Sequence, residues 1–243
     1  MQVYSTESPG WLTRAYLVVG EDKKAVLIDG NGVAGPHLDR IRDEDLDPQF
    51  VVVTHHHGDH TMIEDYRSLN VPVIGLAETA ELLPGVIDRT VVDGEVLRAG
   101  DDIEIEMWHT PGHCADHLAL LVNGTDIFTV DVLFKGTVGG TRGPGATGID
   151  DLRASIDRFM SLPPETIVRP GHREASTIGE ERDSNVFVKA FAADRPSSGE
   201  RVKVAGEPAE LLLWGPDYDG TNKAWVRFAD GSEAITGGSQ VER

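Results

Sequence analysis

The run Thr54-His55-His56-His57-Gly58-Asp59-His60 constrains this chain more than any other stretch of it. It follows directly on residues 50–53, Phe-Val-Val-Val, an apolar and β-branched segment that reads as a buried strand. In extended chain His55 and His57, two apart, carry both imidazoles to one side. Gly58 then lets the backbone turn and brings Asp59 and His60 into reach. A fold that contains this run must end a buried strand where several imidazoles and a carboxylate converge.

Three further ligand-capable groups stand at the ends of predicted strands. His113 closes Thr110-Pro111-Gly112-His113, after the alternating segment 103–108; Asp131 follows the apolar run 126–130; His172 follows 166–169 in Pro170-Gly171-His172. Imidazole and carboxylate together suit Zn²⁺, Mn²⁺ or Fe²⁺ without any thiolate. Five histidines and two carboxylates exceed the needs of one tetrahedral ion. They match two ions roughly 3.5 Å apart that share a carboxylate and a bridging hydroxide. Of the nine histidines, the other four have blander readings. His37 is expected on a loop surface and His56 pointing away from its neighbours. His109 is a candidate support for the metal ligands, and His117 has no assignment. Cys114, the single cysteine, reads as a small buried residue rather than a nucleophile.

Strands interleave with helices over residues 1–195, which predicts a layered domain of the α/β or α+β class. Hairpins are expected at 15–19 with 25–28, and at 118–122 with 126–130 across Asn123-Gly124. Helices are expected at 37–44, 62–68, 77–82 and 150–160, and a long glycine-rich loop at 132–148. Thr177-Ile178-Gly179-Glu180 has capping-box spacing and should open a terminal helix. Arg195-Pro196-Ser197-Ser198-Gly199 reads as a linker. The remaining 196–243 segment, with four short predicted strands, reads as a small all-β, barrel-like module. Its Trp214, Tyr218, Trp225 and Phe228 either fill that module's core or line a recognition surface.

Forty-one acidic against 22 basic residues give a net charge of −19 over 243 residues. That balance disfavours holding phosphate backbones by bulk charge, so no nucleic-acid partner is expected. One cysteine excludes a disulfide framework. No apolar run approaches the roughly 20 residues of a membrane span, and the first residues lack a signal-peptide pattern, so the expected location is cytoplasmic, off the membrane.

The motif set resembles the metallo-β-lactamase superfamily, in particular its glyoxalase II (hydroxyacylglutathione hydrolase) branch. The resemblance covers residues 1–192 and implies a four-layer αββα sandwich with the metals at one edge between the sheets. It implies that His55, His57 and His113 hold one metal, that Asp59, His60 and His172 hold a second, and that Asp131 bridges them. Asp29 matches a family carboxylate that buttresses a metal-bound histidine. Two departures bear on substrate. Gly140 stands where glyoxalase II enzymes carry a lysine, and Glu174 where they carry a tyrosine. Both family residues help anchor glutathione, and the family's helical C-terminal domain is replaced by the all-β segment.

The expected activity is therefore hydrolysis of a thioester or related carbonyl ester by a metal-bridging hydroxide, with Asp59 as both ligand and orienter. The expected cofactors are two divalent ions, zinc foremost, with iron or manganese compatible. The alternatives are a mononuclear-iron persulfide dioxygenase, or a lactonase or β-lactamase of the same fold. The expected partner is a small molecule. Lys135, Arg142 and Arg173 are candidates to grip it if it is anionic, and self-association through the C-terminal module is a further expectation.

Overall fold

The computed structural model describes residues 1–193 and 199–243, so most of the expected linker lies outside the described residues. The chain divides into two compact units. One comprises Met1–His109, Asp116–Val130 and Gly171–Arg173; the other comprises Thr110–Ala115, Asp131–Pro170 and Glu174–Arg243. Among the described residues, no helix is long and apolar enough to cross a membrane.

The first unit is built on two sheets. One has the order Gln2–Glu7, Arg14–Val19, Lys24–Ile28, Asp47–Val52, Val73–Leu76, Arg89–Val91. Its first three strands are antiparallel and the rest parallel. The switch follows from the connections: turns join the early strands, whereas parallel strands need a longer crossover, here through the helix Gly35–Asp43 and the 3₁₀ turn Glu64–Leu69. The other contributes to this unit an antiparallel meander of Val96–Ala99, Ile103–His109, Leu118–Val122 and Asp126–Val130. Asn123 and Gly124 both have positive φ in its predicted tight turn.

The period-2 alternation of side chains sorts the apolar residues into two cores. Tyr16, Val18, Val26, Ile28, Phe50 and Val52 face Ile103, Ile105, Met107, Leu118, Leu120 and Phe128 of the other sheet. Their neighbours Leu17, Val19, Ala25, Leu27, Val51 and Val53 face the other way, into a cluster with Ile41 and Tyr66 of the helical layer. Burial on both faces explains why these strands read as unbroken apolar runs. Each fully buried Val, Leu or Ile contributes about 1.5–3 kcal/mol.

The second unit carries the helices Ile149–Met160, Ile178–Ser184 and Val186–Ala192. Leu152, Ile156 and Phe159 form the buried face of the first, as their spacing predicts. Thr177 and Glu180 make the predicted capping box. The terminal helix is split in two because Asn185 adopts an extended conformation and caps the second piece, accepting from the amides of Phe187 and Val188.

Several expectations are corrected. The C-terminal segment is an open sheet, not a closed barrel, with the order Glu233–Gly237, Asn222–Phe228, Glu207–Pro216, Glu200–Val204, Val241–Glu242. The three-residue turn Gly238–Gln240 joins its two edges. Five Cα positions span at most about 15 Å, whereas the edges of a flat five-stranded sheet lie about 19 Å apart. The sheet must therefore curl, with its edges unpaired to each other among the described residues. The 132–148 loop contains a small hairpin, Leu133–Phe134 with Thr137–Val138. His37 lies not on a loop but inside the helix Gly35–Asp43, 2% exposed, with Nδ1 2.9 Å from the Tyr66 hydroxyl. Trp225 and Phe228 are buried, and Tyr218 packs on Phe134 with ring centres 5.0 Å apart.

Candidate metal centre

In the first unit, one buried carboxylate organises the histidine run. Asp29 ends the Lys24–Ile28 strand with φ of 57° and is 1% exposed. Its Oδ1 accepts from the Thr54 amide at 2.8 Å. Its Oδ2 accepts from the Thr54 hydroxyl and from His60 Nδ1, each at 2.8 Å. Having given its proton to Asp29, the Thr54 hydroxyl accepts from His55 Nδ1 at 3.1 Å. Burial pushes the Asp29 carboxyl up, and the hydrogen bonds from His60 and Thr54 pull it back.

The consequence lies on the far side of each ring. A neutral imidazole whose Nδ1 donates presents a lone pair at Nε2. His172 reaches the same state through a backbone group, its Nδ1 donating to the Trp11 carbonyl at 3.0 Å. The Nε2 atoms of His60 and His172 face Asp59 Oδ2 at 3.6 and 3.8 Å. Asp59, His60 and His172 each offer one ligand atom within 4.8 Å of the others. Lone pairs facing a carboxylate at these distances repel unless a cation joins them, so the donor set fits a divalent metal. Thr13, fully buried, donates its hydroxyl to Asp59 Oδ2 at 2.7 Å and bridges His172 through the backbone. The His55 ring lies 4.7 Å from that of His57 and 4.4 Å from that of His60.

In the second unit, His113 and Asp131 stand together. His113 Nε2 faces Asp131 Oδ2 at 3.5 Å, while Nδ1 donates to the Gly140 carbonyl at 3.0 Å. Two glycines make room for them. Gly112 has φ of 131°, and a Cβ there would stand 2.4 Å from the Leu152 backbone. A Cβ on Gly139 would stand 1.9 Å from the Asp131 carbonyl oxygen. Asp131 follows Val130, a β-branched residue at φ of 43°. Such a conformation costs of order 1–3 kcal/mol and persists only where the surroundings enforce it.

The remaining expected residues are placed as follows. His56 does not turn away from the run: its ring lies 4.7 Å from that of His57, and its Nδ1 bonds Asp116 at 2.7 Å. His109 ends its strand with its amide donating to Asp93 and lies outside the ligand groups. His117 is buried, its ring 5.4 Å from that of His55. Lys135 pairs with Glu174 at 3.4 Å. Arg142 lies near Glu207 at 3.9 Å and over the Phe228 ring. Arg173 adopts φ of 66° directly after His172. Sequence reading missed Thr13 and the Trp11 and Gly140 carbonyls. A backbone acceptor has no side-chain signature, and Thr13 lies 46 positions from its partner.

Comparison with known proteins gives this geometry its family. The profile described as "Metallo-beta-lactamase superfamily" matches residues 9–62. The hydroxyacylglutathione hydrolase GloC of Haemophilus influenzae is 31% identical over 199 residues, covering 72% of this chain and 92% of that protein. The crystal structure of ETHE1 from Myxococcus xanthus superposes with a TM-score of 0.70 at 27% identity, covering 79% of this chain and 90% of that one. A protein solved in a di-iron-bound form gives a TM-score of 0.66 at 30% identity, covering 76% of this chain and 99% of that one. The α+β architecture, the buried-strand histidine run and these relatives together place the chain in the metallo-β-lactamase superfamily of metal-dependent hydrolases.

Proposed function

We propose that this protein is a dinuclear-metal hydrolase that cleaves a thioester or a related carbonyl ester. The observation that carries this reading is the shared state of four imidazoles. His55, His60, His113 and His172 each hold Nδ1 on an oxygen acceptor, which leaves Nε2 as a lone-pair ligand. In this reading His55, His57 and His113 would hold one ion, Asp59, His60 and His172 would hold the other, and Asp131 would be shared by both. Zinc is the leading identity, with iron or manganese compatible.

Such ions supply hydroxide near neutral pH and polarise a carbonyl oxygen, so no protein nucleophile is needed. The chain's own task is to fix the ligands before substrate arrives. Asp29 and Thr54 lock the ring orientations of His60 and His55, and Thr13 holds Asp59, the proposed orienter. His109 is proposed to support the ligands from its strand end. Lys135, Arg142 and Arg173 are proposed contacts for an anionic carrier. The first two would have to exchange their present carboxylate neighbours for substrate, which favours a weakly gripped acyl carrier over a tightly clamped one.

Gly140 and Glu174 at the family's glutathione-anchoring positions support a thioester carrier other than glutathione. The acidic surface supports a small-molecule substrate and no nucleic acid. A cytoplasmic location and self-association through the C-terminal sheet complete the proposal.

Metal quantification and a panel of thioesters, lactones and a β-lactam test it. Two ions per chain and thioester turnover are expected. His57→Ala and Asp131→Ala should each abolish turnover while the circular dichroism spectrum persists. Full turnover in either variant would sink the mechanism. The likeness to ETHE1 favours one second reading, a mononuclear-iron persulfide dioxygenase; one iron per chain and persulfide-dependent oxygen uptake would replace the hydrolase.

A further inference from the structure

Lys223 is the second residue of the Asn222–Phe228 strand of the C-terminal sheet, yet it is only 4% exposed. Its ammonium donates to the Val138 carbonyl at 2.6 Å and to Asp217 Oδ1 at 3.0 Å. The rings of Phe134 and Tyr218 close around it, 5.3 and 5.4 Å away. A second tie lies three residues along. The Thr141 amide donates to the Ile235 carbonyl and the Ile235 amide donates to the Thr141 hydroxyl, both at 2.9 Å.

Between the two ties stand Gly139 and Gly140. Gly139 packs where a Cβ would strike the Asp131 carbonyl, and its amide donates to Val132 at 3.0 Å. Gly140 offers the carbonyl that orients His113. A buried Lys–Asp pair is a weak source of net stability, and an apolar pair of similar volume serves a sheet core as well or better. An apolar pair cannot bond the Val138 carbonyl. The charge at position 223 is therefore explained by the loop it holds rather than by the sheet it sits in.

We propose that the C-terminal sheet is a positioning element of the metal centre. Lys223 and Ile235 fix the two ends of the Val138–Thr141 segment, and through it the Gly140 carbonyl, the His113 imidazole and the neighbourhood of Asp131. This rests on the metal-centre reading above. It assigns Lys223 as a positioning residue, far in sequence from every ligand, and gives the C-terminal strands a role in metal binding.

The test pairs Lys223→Met/Asp217→Leu, which removes both charges together, with the milder Thr141→Val. Zinc affinity is measured by chelator competition, ligand geometry by the visible absorption of the cobalt-substituted protein, and folding by thermal circular dichroism. The double variant should melt at or above the wild-type temperature. It should nevertheless lose roughly 10–100-fold in affinity for one of the two ions and show an altered cobalt spectrum. Thr141→Val should shift both readouts in the same direction by a smaller factor. Folded variants with unchanged affinity and an unchanged cobalt spectrum overturn the proposal. If the double variant does not fold, Thr141→Val decides in the same two assays. Wild-type protein that binds no divalent ion would overturn the metal-centre reading itself, and this inference with it.

Discussion

The proposed ligands in the two units are held in place by different means. In the first unit, buried side chains orient the ligands: Asp29 and Thr54 set His60 and His55, and Thr13 sets Asp59. In the second, backbone does the orienting: the Gly140 carbonyl sets His113, and the absence of a side chain at Gly139 admits Asp131. A side-chain scaffold concentrates its stability in a few charge-assisted bonds and fails abruptly when one is removed. A backbone scaffold depends on where a loop sits, and so on whatever anchors that loop.

The contrast can be broken from either side. Asp29→Ala should have the largest effect, because it strips the shared acceptor from two Thr54 groups and from His60. We expect a loss of about 3–5 kcal/mol in denaturant unfolding, with the His60-side ion released and His113 unaffected. Retention of both ions at wild-type affinity would show that Asp29 is not the organiser.

A second experiment separates the stability of the first unit from its ligands. Burial, with Arg40 nearby, holds His37 down at about 4 against an ordinary value of 6.5. The unfolded chain therefore binds the extra proton between these values. Stability is full above pH 6.5 and falls as the pH drops towards 4, by about 3 kcal/mol from this group. His37→Gln should flatten that slope. An unchanged pH profile of unfolding would place the acid sensitivity elsewhere.

Gly139→Ala attacks the proposed ligands of the second unit. The loop must move to relieve the contact with Asp131, and we expect roughly 10–100-fold weaker binding of one ion, with the melting temperature little changed. Loss of both ions would mean that the two sets are not independently organised. The smallest effect is expected at Thr13. Thr13→Val should weaken the Asp59-side ion by roughly tenfold and Thr13→Ser should restore it; equal behaviour of the two variants would exclude the hydroxyl.

The same division marks what the sequence made legible. In the first unit four proposed ligands were readable because they fall within six residues directly after a buried strand, and Asp29 was readable only through the family resemblance. His113, Asp131 and His172 were readable as strand-end residues. What anchors the second unit's pair was not, because a carbonyl oxygen carries no residue code and nothing in the sequence marks Lys223 as a buried lysine. His37 was expected at a surface, but the helix begins at Gly35, with proline in its first turn, and places that imidazole on the buried face. The edge strand Gln2–Glu7 was missed because only Thr6 within it is buried, which leaves no apolar alternation to detect.

The strained backbone at Val130 bears on how this chain can evolve. A branched side chain held at left-handed φ next to Asp131 is a position where thermal stability and catalytic geometry pull apart. A screen for heat resistance would drift towards Gly or Asn there, since both relax that backbone. A screen for turnover should retain Val wherever that strained backbone is what places the proposed ligand Asp131. Residue 130 is thus where directed evolution under the two selections should first diverge.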